Sequence, residues 1–249
     1  MLDLSPLSAV VVVLVSAVAG VFKVAFGLGA GAFLTPILAL VLPPKLAVGL
    51  MWPVMFVTDL SALRHHWRKW DAKHVLVLLP TCLLGVVAGS LFLAWAPSWL
   101  VRKTIGAIAL AFCGVQLLRV GRATSGPPHP MPSWGGSIVG FVAGLTTSIA
   151  HSGGIVMSIY LLTVGMAKNR FIATLVSIFF ASNLLKFPLY WQTGILTMPA
   201  LLTGLALTPA MLLGGRFGMS VNRRLSVAQF TRFVVAIIGS AGLLLLATP

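Results

Sequence analysis

Runs of apolar residues follow one another along the whole chain, separated by short polar or basic stretches. Ten segments can be delimited in this way, at about 7–26, 31–42, 46–63, 75–95, 100–119, 135–150, 154–165, 169–187, 195–217 and 227–247. Most have about 20 residues, the length that crosses the hydrocarbon core of a bilayer as a helix. The second and the seventh have only about 12, too few to span it, and each follows a glycine-rich stretch. The pattern therefore predicts an all-α polytopic membrane protein with two broken helix pairs, formed by segments 1 and 2 and by segments 6 and 7.

The two glycine-rich breaks are the first candidates for a functional site. Between Gly144 and Gly154 an apolar helix gives way to hydroxyls, one imidazole and two glycines, and a weaker counterpart runs from Gly20 to Gly31. Backbone groups freed inside a membrane are tolerated only where they are buried in protein or line a wet cavity. A helix that begins there presents unpaired N–H groups and a partial positive charge, which together bind anions. We predict that the two breaks face each other and bind a small oxyanion, although close helix packing would also explain such glycines.

The backbone residues predicted on this basis to bind substrate are Gly29, Ala30, Gly31, Gly153 and Gly154.

The chain also resembles itself. A shift of 124 residues brings Gly20 onto Gly144 and Asp59 onto Asn183, and the order of long, short and basic stretches is the same in both halves. Each half has five segments, an odd number, so the second half would enter the membrane upside down. This predicts two inverted repeats, at 1–120 and 135–249 with a connecting loop at 121–134, whose broken helices meet at the membrane midplane.

Composition and charge agree with a membrane protein that handles anions. Hydrophobic residues make up 59% and charged residues 8% of the chain, whereas a soluble domain has about a quarter of its residues charged. The net charge of +14 does not indicate nucleic-acid binding, because the basic residues lie in short loops beside apolar helices, as topology signals do. Only three residues are acidic, which favours an anionic over a cationic substrate.

The distribution of basic residues also predicts the number of crossings. If all ten segments reverse direction, eleven cations fall on one side and four on the other, a clear positive-inside bias that places both termini outside the cytoplasm. The eleven are Arg64, Arg68, Lys69, Lys73, Arg119, Arg122, Lys168, Arg170, Arg216, Arg223 and Arg224, and the four are Lys45, Arg102, Lys103 and Lys186. Counting each broken pair as one crossing abolishes the bias.

Several side chains in the second break are candidates to bind the anion. His151 could donate a hydrogen bond to an oxyanion or carry a proton at physiological pH, or it could simply bond a backbone carbonyl. Ser152 and Thr147, together with Thr146 and Ser148, are candidate donors, although hydroxyls in membrane helices often bond back to their own helix.

Ionisable residues inside membrane segments are functional candidates by default. Lys23 could attract the anion or pair with Asp59, and Asp59 could alternatively carry protons or anchor Arg64. Asn183, the repeat counterpart of Asp59, could donate to substrate. Lys186 lies near the end of a segment and is predicted to be an interface anchor.

No pattern typical of a metal site, a cofactor site or a catalytic site is present. His65 and His66 are adjacent, and adjacent residues do not share a helix face. We therefore predict no metal, no cofactor and no enzymatic activity.

Short motifs along the chain resemble the TauE/SafE family of sulfite and organosulfonate exporters. They are Phe26-Gly27-Leu28-Gly29-Ala30-Gly31, Pro36, Leu42-Pro43-Pro44-Lys45, Ala47-Val48, Leu63-Arg64-His65-His66, Trp70-Asp71, Gly140-Phe141, Ala143-Gly144 and Ser152-Gly153-Gly154. The resemblance implies a multi-pass transporter in a bacterial plasma membrane that exports sulfite, sulfoacetate or related anions. Members of the family are usually counted with about eight helices, and the two broken pairs would account for ten segments here. One departure is Met51-Trp52-Pro53, which stands where the family usually has a Thr-Ser pair.

The sequence thus predicts a secondary transporter that works by alternating access between its repeats. Its partners are the lipid bilayer, a small sulfur-containing anion and, as an open alternative, a second copy of the chain. Two other functions remain open at this stage, an intramembrane enzyme using His151 and Asp59, and an anion channel.

Overall fold

The described part of the chain folds into ten α-helices whose bounds follow the ten predicted segments. The computed structural model describes residues 2, 6–26, 30–120, 133–222 and 227–248, and no strand occurs among them. The helices are α1 (Pro6–Phe26), α2 (Ala30–Val41), α3 (Pro44–His65), α4 (Ala72–Trp95), α5 (Ser98–Val120), α6 (Ser133–Ala150), α7 (Gly153–Thr163), α8 (Lys168–Gln192), α9 (Met198–Asn222) and α10 (Val227–Ala247). The prediction of an all-α architecture is confirmed.

The broken pair α6–α7 is a helical hairpin. A Cβ added to Gly153, at the start of α7, would collide with the carbonyl oxygen of Ala143 in α6. Near the other end of α7, the Tyr160 hydroxyl lies close to Gly136, in the first turn of α6. Helix α7 therefore runs back along α6 towards the side from which α6 came. Helix α2 likewise packs against α1.

The loops gather at two ends of the bundle. At one end the backbone N–H of Asp71 donates to the Thr174 hydroxyl at 3.0 Å, and Arg170 lies 3.7 Å from the Asp71 carboxylate. At the other, the Lys45 ammonium donates to the Ala94 carbonyl at 3.2 Å. We call the first the basic end, because it carries Arg64, Arg68, Lys69, Lys73, Lys168 and Arg170. The second is the opposite end, with Lys45, Arg102 and Lys103.

Glycines allow α4 and α6 to cross at backbone contact. A Cβ on Gly144 of α6 would collide with the Cys82 carbonyl of α4, and one on Gly85 of α4 would collide with the Phe141 carbonyl of α6. The crossing therefore leaves no room for any side chain at these two positions.

Helices α1 and α9 cross in the same manner. A Cβ on Gly20 of α1 would collide with the Met211 carbonyl of α9, and one on Gly214 of α9 would collide with the Ala17 carbonyl of α1. Gly20 and Gly144 are the residues that the shift of 124 aligned. The two crossings thus use matching glycines in the two halves of the chain.

The bundle exposes apolar side chains and buries polar ones. Leu76 and Leu84 of α4 are 75% and 63% exposed, whereas Asp59, Asn183 and Lys186 are buried. Five helices among the described residues are long and apolar enough to cross a membrane: α3, α4, α5 (as Ser98–Leu118), α8 and α9 (as Met198–Arg216). This arrangement suits a surrounding bilayer, where apolar atoms face lipid and polar groups find partners inside.

Candidate functional site

The chain turns sharply between α6 and α7, and we call the last turn of α6 together with this turn, from Thr146 to Gly153, the α6–α7 break. His151 adopts a φ of 51°, in the left-handed region that a non-glycine residue rarely occupies. Its backbone N–H donates to the Thr147 carbonyl at 3.1 Å, and the Ser152 hydroxyl donates to the Thr146 carbonyl at 3.2 Å. Ser152 occupies the N-cap position of α7, but its side chain makes no capping bond.

The first turn of α2 lies against this break. A Cβ added to Gly31 would collide with the Cβ of His151 and lie 2.6 Å from the His151 carbonyl oxygen. Gly31 and His151 are thus the point of contact between the two glycine-rich stretches that the sequence predicted to face each other. Close packing also accounts for these glycines, because neither Gly31 nor Gly153 has room for a side chain.

Lys186 of α8 reaches the same break, which corrects its prediction as an interface anchor. The side chain is only 1% exposed, and its ammonium donates to the Thr147 carbonyl at 2.8 Å and to the Thr147 hydroxyl at 3.2 Å. Thr147 also touches the start of α7, since a Cβ on Gly153 would lie 2.8 Å from the Thr147 Cβ. Because the Lys186 side chain contacts the last turn of α6, it stabilises the carbonyl end of that helix. It also places a cation beside the N-terminus of α7.

The sequence placed Lys186 near a helix end because the eighth apolar segment was delimited at residue 187, just before Pro188. Proline usually ends a helix, but membrane helices tolerate it, and α8 continues through Pro188 to Gln192. The signal that could have identified Lys186 is that an intramembrane lysine is a functional candidate wherever it lies.

A buried amide and carboxylate join α3 to α8 one helical turn from Lys186. The Asn183 side-chain amide donates to the Asp59 carboxylate at 2.8 Å, and the indole N–H of Trp52 donates to the Asn183 carbonyl at 3.0 Å. Asn183 precedes Lys186 by three residues and so lies on the same helix face. Asn183, predicted to donate to substrate, therefore already donates its amide to Asp59.

The hydroxyls of the break differ in what they bond. Thr146 donates to the carbonyl of Val142, four residues earlier, at 2.8 Å, so for this residue the back-bonding alternative is correct. Ser148 instead donates to the Val86 carbonyl of α4 at 3.0 Å, and its own carbonyl accepts from the buried Tyr190 hydroxyl at 2.5 Å. Ser148 thus ties α6 to α4 and α8, whereas the Thr146 hydroxyl bonds within its own helix.

Two buried polar atoms of α2 and α8 lack hydrogen-bond partners within the described residues. They are the hydroxyl of Thr35 and the side-chain carbonyl oxygen of Asn183. Thr35 is fully buried and follows Gly31 by four residues, which places both on the same face of α2. An unsatisfied buried hydroxyl costs free energy, so a water or a ligand at this position would be favoured. Thr35 was not among the predicted site residues.

Three predicted site residues lie wholly or partly outside the described residues. They are Gly29, the side chain of Ala30 and the side chain of Lys23. The predicted contact between Lys23 and Asp59 therefore stays a prediction.

Asp71 lies at the basic end, outside the helices that cross the membrane. It caps the N-terminus of α4, where its carboxylate accepts from the backbone N–H of His74 at 3.1 Å. The His74 imidazole lies 2.9 Å from the same oxygen, and Arg170 adds a positive charge. These interactions, led by the side-chain bond to His74, lower the pKa of the Asp71 carboxyl from its ordinary value.

Comparison with known proteins gives one result. A family described as sulfite exporter TauE/SafE matches residues 12–245, nearly the whole chain. No curated protein and no solved structure matches it.

Proposed function

Because the chain belongs to the TauE/SafE family of sulfite exporters, a family of multi-pass membrane transporters, we propose that it exports small sulfur oxyanions. Sulfite is the first candidate, and sulfoacetate and other organosulfonates are further ones. The membrane we propose is the plasma membrane of a bacterium, with the basic end in the cytoplasm, as the positive-inside bias favours. The observation that carries the binding site is the buried Lys186 ammonium at the α6–α7 break.

The ammonium supplies the charge that a desolvated anion needs. Two of the three N–H groups of Lys186 donate to the carbonyl and the hydroxyl of Thr147. The third N–H group has no acceptor within the described residues. A sulfite oxygen would take this third N–H in a charge-assisted bond, which is stronger than a bond between neutral groups. The first N–H groups of α7, at Gly153 and Gly154, have no partner within their helix and add dipole stabilisation.

Helix α2 forms the other wall of the proposed site. Gly31 brings the α2 backbone against His151, and Thr35, one turn further along, offers an unpaired buried hydroxyl. A small oxyanion has several oxygens to satisfy and takes donors from more than one direction. Donors from α2, α7 and α8 would surround it, and Ser152 and His151 would lie at the turn between them.

The nearby Asp59 carboxylate balances the Lys186 charge when the site is empty. Asp59 bonds Asn183, which lies one turn from Lys186 on α8, and a buried ammonium and a buried carboxylate near each other cost less than either alone. When an anion binds Lys186, this balance is lost, and a proton on Asp59 or His151 would restore it. Proton coupling through these two groups is therefore part of the proposal.

Export needs no further energy source for a singly charged anion. A charge of −1 that leaves a cell at −100 mV inside gains about 2.3 kcal/mol. The membrane potential alone would favour outward movement.

The helix pairing supports alternating access between two inverted repeats. If each helix is replaced by the one five places away in chain order, the pair α4–α6 becomes α9–α1, and α1–α9 becomes α6–α4. The pairs α3–α8 and α5–α10 stay the same under this replacement. Pro80 and Gly85 of α4 also have the same spacing as Pro209 and Gly214 of α9. Rocking of one repeat against the other would expose a site held between them to each side in turn.

Transport of radiolabelled sulfite by proteoliposomes tests the site. Lys186→Met removes the charge while keeping an unbranched side chain. We expect flux to fall at least about tenfold, which corresponds to the loss of one hydrogen bond to a charged group. Lys186→Arg keeps the charge and should retain part of the flux. Lys45→Met is the matched control, since Lys45 lies at the opposite end of the bundle, and it should transport normally.

A second measurement separates binding from folding. Sulfite should raise the melting temperature of the wild-type protein and of Lys45→Met, but not of Lys186→Met. If Lys186→Met keeps both wild-type flux and the sulfite-dependent shift, Lys186 only caps α6 and the proposed site is wrong.

A further inference from the structure

A large groove opens at the basic end, away from the α6–α7 break. It has a volume of about 1200 Å³ and lies between the last turns of α3, the middle of α9 and Gly20 of α1. This volume exceeds the usual range for small-molecule pockets, about 300 to 1000 Å³, and far exceeds what sulfite needs. The transported anion therefore does not explain the groove.

The groove is basic at its mouth and apolar inside. Arg64, His65 and His66 line it from the end of α3, and Arg216 lines it from α9. No acidic side chain is among the described residues that line it. Two arginines and two histidines thus face no acidic side chain among the described lining residues.

The inner wall on α9 is made of apolar residues that precede Arg216. Leu212 and Leu213, one turn before it, are 52% and 63% exposed. In a membrane helix, exposed leucines face lipid. The groove is thus open sideways towards acyl chains and ends in a charged mouth at the depth of the headgroups.

The inner part offers little to a bare oxyanion. Thr58, which lines the groove from α3, bonds the carbonyls of Val54 and Met55 in its own helix, at 3.0 and 2.8 Å. Ser61 is the other hydroxyl among the described lining residues, so a small hydrated anion would lose more hydrogen bonds to water there than it regains, which is costly. A molecule with a charged head and an apolar tail would satisfy both parts of the groove.

We propose that this groove binds one anionic phospholipid of the surrounding leaflet. Its phosphate would lie between Arg64 and Arg216, whose guanidinium groups suit phosphate geometry, and one acyl chain would lie along Leu212 and Leu213. Basic pockets between membrane helices are known to bind anionic headgroups in this way. The inference does not depend on which anion is transported.

Native mass spectrometry of the purified full chain tests it, with phosphatidylglycerol and phosphatidylcholine of identical acyl chains as probes. The wild-type protein should bind phosphatidylglycerol at least about tenfold more tightly, from two arginines that each contribute about fivefold near an anionic headgroup. The double variant Arg64→Ala/Arg216→Ala should lose this preference. The double variant Lys45→Ala/Lys103→Ala removes two cations from the opposite end and should keep it.

A variant of the apolar wall tests the tail separately. Leu213→Gln leaves every charge in place and should weaken the binding of both lipids. If the double arginine variant does not fold, Arg216→Ala alone should show the fivefold loss.

Three results would overturn the inference. The first is equal binding of the two lipids by the wild-type protein, and the second is an equal loss in the two double variants. The third is unchanged phosphatidylglycerol binding by Arg64→Ala/Arg216→Ala, together with slower sulfite flux by this double variant than by the wild-type protein in vesicles of phosphatidylcholine alone. That result would make the groove an access route for substrate.

Discussion

At the scale of single residues, the α6–α7 break concentrates features that cost free energy. His151 holds a left-handed backbone, Lys186 holds a charge away from water, and Thr35 holds a hydroxyl without a partner among the described residues. Such costs gather at functional sites, where the surrounding structure holds residues in place for binding. Their meeting around Gly31 and Thr147 is why we place the anion there.

The backbone of His151 can be tested apart from its imidazole. His151→Gly and His151→Ala both remove the ring, but only glycine adopts a positive φ without steric cost. We expect the glycine variant to be more stable than the alanine variant by about 1 kcal/mol, measured by thermal unfolding in detergent. Equal stabilities would show that the turn relaxes when the ring is lost.

Gly31 tests the contact between α2 and the break. Gly31→Ala inserts a methyl group where His151 already lies, and we expect a loss of stability of about 1 to 3 kcal/mol, as for other overpacked sites, together with loss of sulfite flux. Gly114→Ala is the matched control. A Cβ on Gly114, inside α5, meets no atom within 4 Å, so this variant should be neutral or slightly stabilised by its better helix propensity. Normal stability and flux in Gly31→Ala would contradict the contact.

At the scale of helices, the bundle combines tight crossings with polar ties at the ends. The glycine crossings fix α4 to α6 and α1 to α9 at backbone distance. At the basic end, Asp71 links the start of α4 to α8 through Thr174 and Arg170. The Asp71 tie consists of partly exposed ionisable side chains, whereas the glycine crossings are contacts between backbones, so the tie responds to pH and the crossings do not.

Asp71 predicts how stability changes in acid. Because its pKa is lowered in the folded protein, its contribution is fully present above the ordinary carboxyl pKa of 3.8 and is lost as the pH falls through the folded value. Asp71→Asn keeps a good N-cap residue but cannot titrate, so its stability should fall less steeply below pH 3.8. Asp71→Ala also loses the cap, about 1 kcal/mol at every pH. Thermal unfolding between pH 3 and 7 measures both, and identical acid slopes in Asp71→Asn and wild type would show that another carboxyl is responsible.

At the scale of the whole molecule, two hairpins divide the loops between a basic and an opposite end. The described cations of the predicted cytoplasmic side all lie at the basic end, and Lys45, Arg102 and Lys103 lie at the other. Since α6 and α7 form a hairpin, the start of α6 and the end of α7 lie on the same side, as the count of ten reversing segments requires. The proposed orientation in the membrane rests on this division of charge.

Most of the helical architecture could be predicted from hydropathy, because a chain in lipid must satisfy its backbone within each segment. Gly31 and His151 could be paired as neighbours because a glycine-rich break in a membrane helix needs protein or a wet cavity beside it. The partner of Lys186 could not be predicted, since its contact with Thr147 joins residues 39 apart and the segment was predicted to end at residue 187, next to Lys186. Thr35 was missed because a lone threonine in an apolar helix usually bonds its own backbone, and only the packed structure reveals that it does not.

The bond between Asn183 and Asp59 has a consequence for how the protein is made. The two residues are 124 positions apart, so at roughly 5 to 20 residues per second the ribosome delivers Asn183 about 6 to 25 s after Asp59. During this interval α3 is inserted without the amide that holds its carboxylate. The carboxylate can therefore reach this partner only after the second half of the chain has entered the membrane. Insertion of α8 therefore completes a polar contact that α3 cannot make on its own.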